Sequence, residues 1–472
     1  MGVAQYVPSA EVAEIRDQID HPVIDGDGHL IEFVPWLRDL MVDVADESVA
    51  KRFDTLVHGS AAVRGVPKEA RRQLGVSRSS YWALPARNTL DRATAMLPEL
   101  LYDRLDEIGV DFALLYPTYG LTVVGIADDE LRGAIARACN RYIAEAYAPF
   151  RDRLEPVASI PMFTPDEAIA ELDYAVGELG LKSVMMAGVV PRAFDGASNE
   201  RTSRWMDTLG HDSMYDYDPV WQKCLDLGVC PTFHASGMGW GSRTSTTNYV
   251  YNHIGNFATA GEATARSLIF GGVTKRFPDL RFAFLEGGVA WGVNLLADLL
   301  GHYEKRNRQS LEHYNPANLD REQISQLIAQ YGSSGHHDRT DRLELALTML
   351  SDPDELPDQV DDFAESAITS VDEIVDIFTR QYFFGCEADD PMNAMAFDSS
   401  RNPANATLQA MFASDIGHWD VPDFREVLPE AWELVDDGHI STDDFRAFTC
   451  DNIRSLLTAG NPDYFADTVV GR

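Results

Sequence analysis

The sequence predicts an α/β protein, a (β/α)8 TIM barrel with helical insertions, on three observations. Eight short apolar runs end in small or polar residues, amphipathic stretches at helical spacing separate them, and no GxGxxG or Walker A motif favours an open nucleotide-binding sheet. With 472 residues and 45% hydrophobic side chains the chain can bury a large core, and a barrel with insertions reaches this length by itself. One domain spanning residues 1–472 is therefore expected.

The strands are expected at Pro22–Asp27, Val110–Pro117, Leu154–Ile160, Ser183–Ala187, Val229–His234, Arg281–Glu286, Tyr382–Cys386 and Leu408–Ser414. Between the second and third, Asp128–Phe150 repeats its apolar positions at helical spacing. Thr164-Pro165-Asp166-Glu167 has the form of a helix start, with a capping hydroxyl, a proline in the first turn and early acids. Gly180 and Gly228 stand where helices hand over to strands. Two regions break the rhythm. Residues 46–97 carry few strand signals, and residues 307–379 are acidic and helical in pattern, containing SDPDELPDQVDDFAES. Both are expected to be insertions, serving either as a lid or as solvated excursions.

Charge narrows the partners. Lys+Arg number 39 against Asp+Glu 75, a formal charge of −36, and the pI is near 4.5. Such a field disfavours nucleic acid and anionic membranes, so an anionic substrate needs a local basic or metal site. The five cysteines, Cys139, Cys224, Cys230, Cys386 and Cys450, are scattered without a CxxC pair, which indicates neither a disulfide framework nor a zinc knuckle. The N-terminus lacks a basic start and a long apolar run. A cytoplasmic protein without membrane spans is expected, acting on a small molecule; a homo-oligomer is left open.

In a parallel barrel reactive residues sit at the C-terminal ends of strands. Here those ends are rich in metal-ligand types: Asp25-Gly26-Asp27-Gly28-His29-Leu30-Ile31-Glu32 on strand one, His234 on strand five, Glu286-Gly287-Gly288 on strand six, and Ser414-Asp415-Ile416-Gly417-His418-Trp419-Asp420 on strand eight. Alternation sends Asp25, Asp27 and His29 to one side, with the intervening glycines leaving room for an ion. Four strand ends of one barrel converge on one pocket, so together they predict a metal site.

These residues, with FPDLRFAFLEGG (Phe277–Gly288), resemble the amidohydrolase-related family of metal-dependent TIM-barrel enzymes. The resemblance implies that Asp27 and His29 form the first-strand metal pair, His234 the strand-five ligand and Asp415 the strand-eight carboxylate. The sequence departs from the family at three places. Asp27 replaces the first His of His-x-His, Glu286 stands where relatives often carry a catalytic His, and strand four (Ser183-Val184-Met185-Met186-Ala187) offers no bridging lysine or acid.

Further donors follow strand ends: Glu32, His253, Glu286, Asp389 and His418. A mixed carboxylate and imidazole set without thiolates suits iron or manganese over structural zinc. The pattern, with WGSRTSTTNYVYNHIGNF (Trp240–Phe257), FGCEADDP (Phe384–Pro391) and SDIGHWDVPDF (Ser414–Phe424), is similar to a branch of the superfamily with a nonheme diiron centre. That resemblance implies a dioxygen-activating diiron monooxygenase hydroxylating a C–H bond of an apolar, CoA-linked substrate, supplied with electrons by an external reductase. Its two irons would take ligands from Asp27, His29, Glu32, His234, His253, Glu286 and Asp415, with Asp415, His418 and Glu286 as catalytic groups. Arg243, Lys275 and Arg276 are the nearest cations for a phosphate-bearing substrate. The alternative is a metal-dependent hydrolase or nonoxidative decarboxylase using one zinc or manganese ion, with Asp415 as general base and His418 assisting.

Overall fold

The structure is a computed structural model that describes residues 6–74, 77–78, 86–194, 204–234, 245–349 and 361–471. The chain folds as the expected (β/α)8 barrel. Its eight strands are β1 (Ile24–Leu30), β2 (Phe112–Pro117), β3 in two pieces (Leu154–Pro156 and Ala158–Ile160), β4 (Val184–Met186), β5 (Pro231–Phe233), β6 (Phe282–Phe284), β7 (Tyr382–Cys386) and β8 (Gln409–Phe412). All neighbours pair in parallel, β1 to β2 to β3 and onward to β8. The ring closes between β8 and β1 through Asp415 N–H to Asp27 O (2.9 Å) and His29 N–H to Ile416 O (2.7 Å). The strands are nearly wholly buried, as apolar runs covered on both faces must be.

The helices begin and end where local chemistry directs. Asp128 accepts the Leu131 N–H and starts a helix at Asp129–Tyr147; Thr164 accepts the Glu167 N–H and starts Pro165–Leu172. Gly228, at φ 68°, ends the helix before β5. Within 46–97 the described residues include helices Glu47–Gly65, Lys68–Leu74 and Thr89–Thr94. Within 307–379 they include Arg321–Tyr331, Ser334–His337, Leu343–Thr348 and Val371–Asp376.

One local expectation fails at β1, which runs on to Leu30 instead of ending at Asp27. Its register against β2 shifts between Asp25 and Gly28, and such an irregularity breaks simple alternation. Asp25 consequently joins the barrel wall, where it accepts the Ser414 N–H (3.0 Å) and the Ser414 hydroxyl. The glycines beside it make room for packing instead of an ion: a Cβ on Gly26 would meet Ile453 Cδ1 at 2.7 Å, and one on Gly28 would meet Asp25 Oδ2 at 2.9 Å.

Candidate metal centre

Six donor side chains from β1, β5, β6 and β8 meet over the C-terminal end of the barrel. Asp27, His29, His234 and Glu286 form one group and His29, Glu286, Asp415 and His418 a second, each with its ligand atoms within 4.8 Å of one another. The groups share His29 and Glu286 and so make one compact centre. His234 Nε2 lies 3.0 Å from Asp27 Oδ1, and His29 Nε2 lies 3.0 Å from Asp415 Oδ1 and 3.5 Å from both Asp27 and Glu286. His418 Nδ1 lies 2.8 Å from Asp415 Oδ1 and 3.5 Å from Glu286 Oε1, and its ring stacks on that of His29 at 3.5 Å.

The backbone is bent to bring two of these carboxylates in. Glu286 (φ 54°) and Asp415 (φ 53°) both adopt the left-handed region, at a cost of about 1–3 kcal/mol each. Gly417, at φ 94°, lets the chain fold back over β1, where a Cβ would stand 2.5 Å from His29 O.

Electrostatics give the cluster its character. Burial pushes the Asp27 carboxyl well up, aided by Glu286 and Asp25 and only partly opposed by His29. Burial and Glu286 outweigh His418 and push Asp415 up to about 8. Burial works against the Glu286 carboxylate too, but His234, His29 and His418 outweigh it and hold Glu286 well below the usual range. Loss of water pulls His234 down to about 4. His418 is raised well above an ordinary imidazole despite its burial, because Asp415 and Glu286 face it.

A divalent cation fits this set. Asp27 Oδ2, His29 Nδ1 and Nε2, His234 Nδ1, Glu286 Oε2 and Asp415 Oδ1 are all buried without a hydrogen-bond partner. Native interiors leave few such atoms, and a cation would satisfy several at once while neutralising the crowded carboxylates.

The structure does not bring every expected donor here. Glu32 Oε2 and Oε1 accept the backbone N–H groups of Tyr119 (2.9 Å) and Gly120 (3.0 Å), so this carboxylate is committed to a turn. His253 stacks on Tyr249 (ring centroids 5.4 Å, 21°) and meets Phe257 and Trp419 edge-on. These four rings form an aromatic wall, reaching the centre through Phe257, whose ring lies 6.1 Å from that of His234. Asp389 lies outside both donor groups, and its neighbour Asp390 caps helix Pro391–Ala396. Lys275 pairs with Glu373 (2.8 Å) and Arg276 with Asp218 (2.6 Å), which leaves both engaged by carboxylates. Arg243 lies outside the described residues. Cys386 is buried, and burial raises its thiol well above its ordinary value, in keeping with packing instead of reactivity.

Two acids were missed by sequence reasoning. Asp420 is pushed up to about 9 by desolvation and by Asp415, with which it shares a hydrogen bond. Glu387 rises to about 8 through desolvation and the facing Asp420 and Glu286. The available signal was position, since Glu387 directly follows β7 and Asp420 ends the SDIGHWD run.

The amidohydrolase family model matches residues 24–332, about two thirds of the chain. Among solved structures, the chain is similar to a dihydroxybenzoic acid decarboxylase from Polaromonas sp. JS666, with bound manganese and the inhibitor 2-nitroresorcinol. The two are 14% identical, with 94% of this chain and 99% of that one covered and a TM-score of 0.51, a likeness of fold. Matches also include a 5-carboxyvanillate decarboxylase from Novosphingobium aromaticivorans DSM 12444 complexed with manganese (12% identity, 97% and 100% covered, TM-score 0.47). A third is a 2,6-dihydroxybenzoate decarboxylase from Rhizobium (15% identity, 93% and 99% covered, TM-score 0.46).

These findings correct the expected diiron monooxygenase. The matching family is that of amidohydrolases, and the manganese-bound structure of similar fold with a TM-score of 0.51 is a decarboxylase instead of an oxidoreductase. Two irons, a CoA-linked substrate and a reductase partner find no support, and Glu32 and His253, which the larger ligand set required, are engaged elsewhere. No helix among the described residues is long and apolar enough to cross a membrane. The chain belongs to the amidohydrolase family.

Proposed function

We propose that the protein is a metal-dependent nonoxidative decarboxylase acting on a small aromatic acid, with one manganese or zinc ion held by Asp27, His29, His234, Glu286 and Asp415. The observation that carries this reading is the single compact cluster of buried, unpartnered carboxylate and imidazole atoms. A set of more than four oxygen and nitrogen donors without sulfur suits manganese better than tetrahedral zinc. We also infer that residues 1–472 form one unit, with 46–97 and 307–379 as excursions from the barrel.

When bound, the ion supplies the local positive charge that an anionic substrate needs against a chain of net charge −36. The wall of Tyr249, His253, Phe257 and Trp419 offers ring faces and edges for a flat substrate. His418 is the proton-holding group, its Nδ1 2.8 Å from Asp415 Oδ1. As the C–CO2 bond breaks its electron pair stays on the ring carbon, which takes a proton from His418, and CO2 leaves; water then restores the proton. The decarboxylases named above support this choice of reaction. A hydrolase reading is favoured by one feature, the Asp415–His418 pair, which run in reverse would take a proton from water.

The test is CO2 release from a panel of hydroxybenzoates by anaerobic, manganese-loaded protein. Turnover is expected, and Asp27→Asn and His234→Asn are expected to lower both metal content and rate at least a hundredfold. Hydrolysis of esters or amides without any CO2 release would overturn the decarboxylase reading.

A further inference from the structure

His418 is held on three sides. Its ring face lies on His29 at 3.5 Å, tilted by 16°. Nδ1 points into the centre, 2.8 Å from Asp415 Oδ1. Nε2 points outward to Thr118 Oγ1, at 3.4 Å, the long end of hydrogen-bond range. Thr118 directly follows β2. Its hydroxyl has one hydrogen to give, and the acceptor is Leu30 O at 2.8 Å. What it turns to His418 is therefore an oxygen lone pair, and the complementary partner is a hydrogen on Nε2.

Thr118 is itself held from behind. Its N–H donates to Leu30 O (3.0 Å), and the next two N–H groups, of Tyr119 and Gly120, donate to the carboxylate of Glu32. Glu32 is 1% exposed, so it anchors this turn from inside the core. Gly120 closes the box, since a Cβ there would collide with Ser159 Oγ.

We propose that Thr118 is a positioning residue that keeps the hydrogen of His418 on Nε2 and so presents Nδ1 to the centre, and that Glu32 positions Thr118 by holding its turn. The role assigned to Nδ1 rests on the decarboxylase reading, in which Nδ1 carries the transferable proton; the placement of the Nε2 hydrogen does not. Partners of this kind fix the tautomer and ring orientation of site histidines, and their loss typically costs 10–100-fold in metal affinity or activity.

The test uses the full chain labelled with 15N-histidine and loaded with zinc, which is diamagnetic. Long-range 1H–15N spectra report which ring nitrogen carries hydrogen, and the His418 signals are identified by their loss in His418→Gln. Recorded at a pH high enough that the His418 ring is neutral, wild type and Thr118→Ser are expected to show the Nε2–H pattern. Thr118→Val is expected to show a mixture and to bind manganese(II) about tenfold more weakly by titration calorimetry. Glu32→Gln, which keeps the Thr118 hydroxyl but loosens its turn, is expected to shift the pattern in the same direction by less. An unchanged Nε2–H pattern in Thr118→Val overturns the assignment, as does a Thr118→Ser protein as altered as Thr118→Val. A wild-type spectrum in Glu32→Gln overturns the part given to Glu32. None of these readouts depends on the reaction catalysed, so failure of the decarboxylase reading would appear separately, as absent CO2 release with a wild-type spectrum.

Discussion

Asp415→Asn should make the metal-free protein more stable and the metal-bound protein less so. Burial and Glu286 carry the Asp415 carboxyl from 3.8 to about 8. Each tenfold of proton affinity is worth ~1.4 kcal/mol, so at pH 7 the buried group costs the folded state on the order of 4 kcal/mol relative to an unfolded chain that has already released its proton. The folded state binds more protons than the unfolded one between these values, so metal-free stability falls as pH rises from about 4 to about 8, by up to ~1.4 kcal/mol per pH unit from this group. An asparagine removes that cost and tolerates the left-handed backbone at φ 53°. It also gives up the 2.8 Å polar contact with His418 Nδ1, and contacts to a charged group are worth about 1.5–3 kcal/mol. The net expectation is a metal-free Asp415→Asn protein more stable than wild type by about 1–2 kcal/mol at pH 7.5, with a flatter pH profile. With manganese(II) at a hundred times its dissociation constant wild type should gain ~2.7 kcal/mol, and the variant well under 1 kcal/mol if its affinity falls a hundredfold. Urea unfolding followed by tryptophan fluorescence, in EDTA and in manganese, measures both. A metal-free variant less stable than wild type, or an equal gain from manganese, would refute the reasoning.

Arg104 is fully buried and bonds Asp91 (2.6 Å), Glu107 (2.7 Å) and Thr94 (2.6 Å), while Asp91 accepts the Phe424 N–H at 2.8 Å beyond β8. Arg104→Met strands two buried carboxylates and is expected to cost about 3–5 kcal/mol in urea unfolding; a loss below 1 kcal/mol would show the pair to be dispensable. Gly417→Ala forces a Cβ to within 2.5 Å of His29 O at φ 94°. It should lower stability by at least about 1–3 kcal/mol and weaken manganese binding measurably by calorimetry. Trp419→Ala opens the wall shared with Tyr249 and His253. It should raise KM for an aromatic acid about fivefold with kcat little changed, as expected for loss of ~1 kcal/mol of ring contact, and an unchanged KM would place the substrate elsewhere.

Much of the barrel was legible because strand-forming runs and helix caps are local properties. All eight strands appear where their apolar runs lie, and Asp128 and Thr164 cap the helices they precede. Of the expected ligands, Asp27, His29, His234, Glu286 and Asp415 meet in one cluster, joined by His418. Asp25, Glu32 and His253 were equally good by residue type and by position, and nothing local distinguished them.

The amino-acid sequence by itself determined that metal-ligand side chains stand at the C-terminal ends of parallel strands, since the strand period and the barrel architecture require no more than local pattern. Tertiary structure alone decided which of them meet. An irregular register in β1 turns Asp25 to Ser414, the N–H groups of the Tyr119–Gly120 turn claim Glu32, and ring packing takes His253 into the aromatic wall. Left-handed backbone at Glu286 and Asp415 aims the remaining carboxylates inward. The physical reason is that the direction of a side chain at a strand end follows from backbone torsion and from the competing hydrogen-bond partners nearby, and both are supplied by segments distant in the chain.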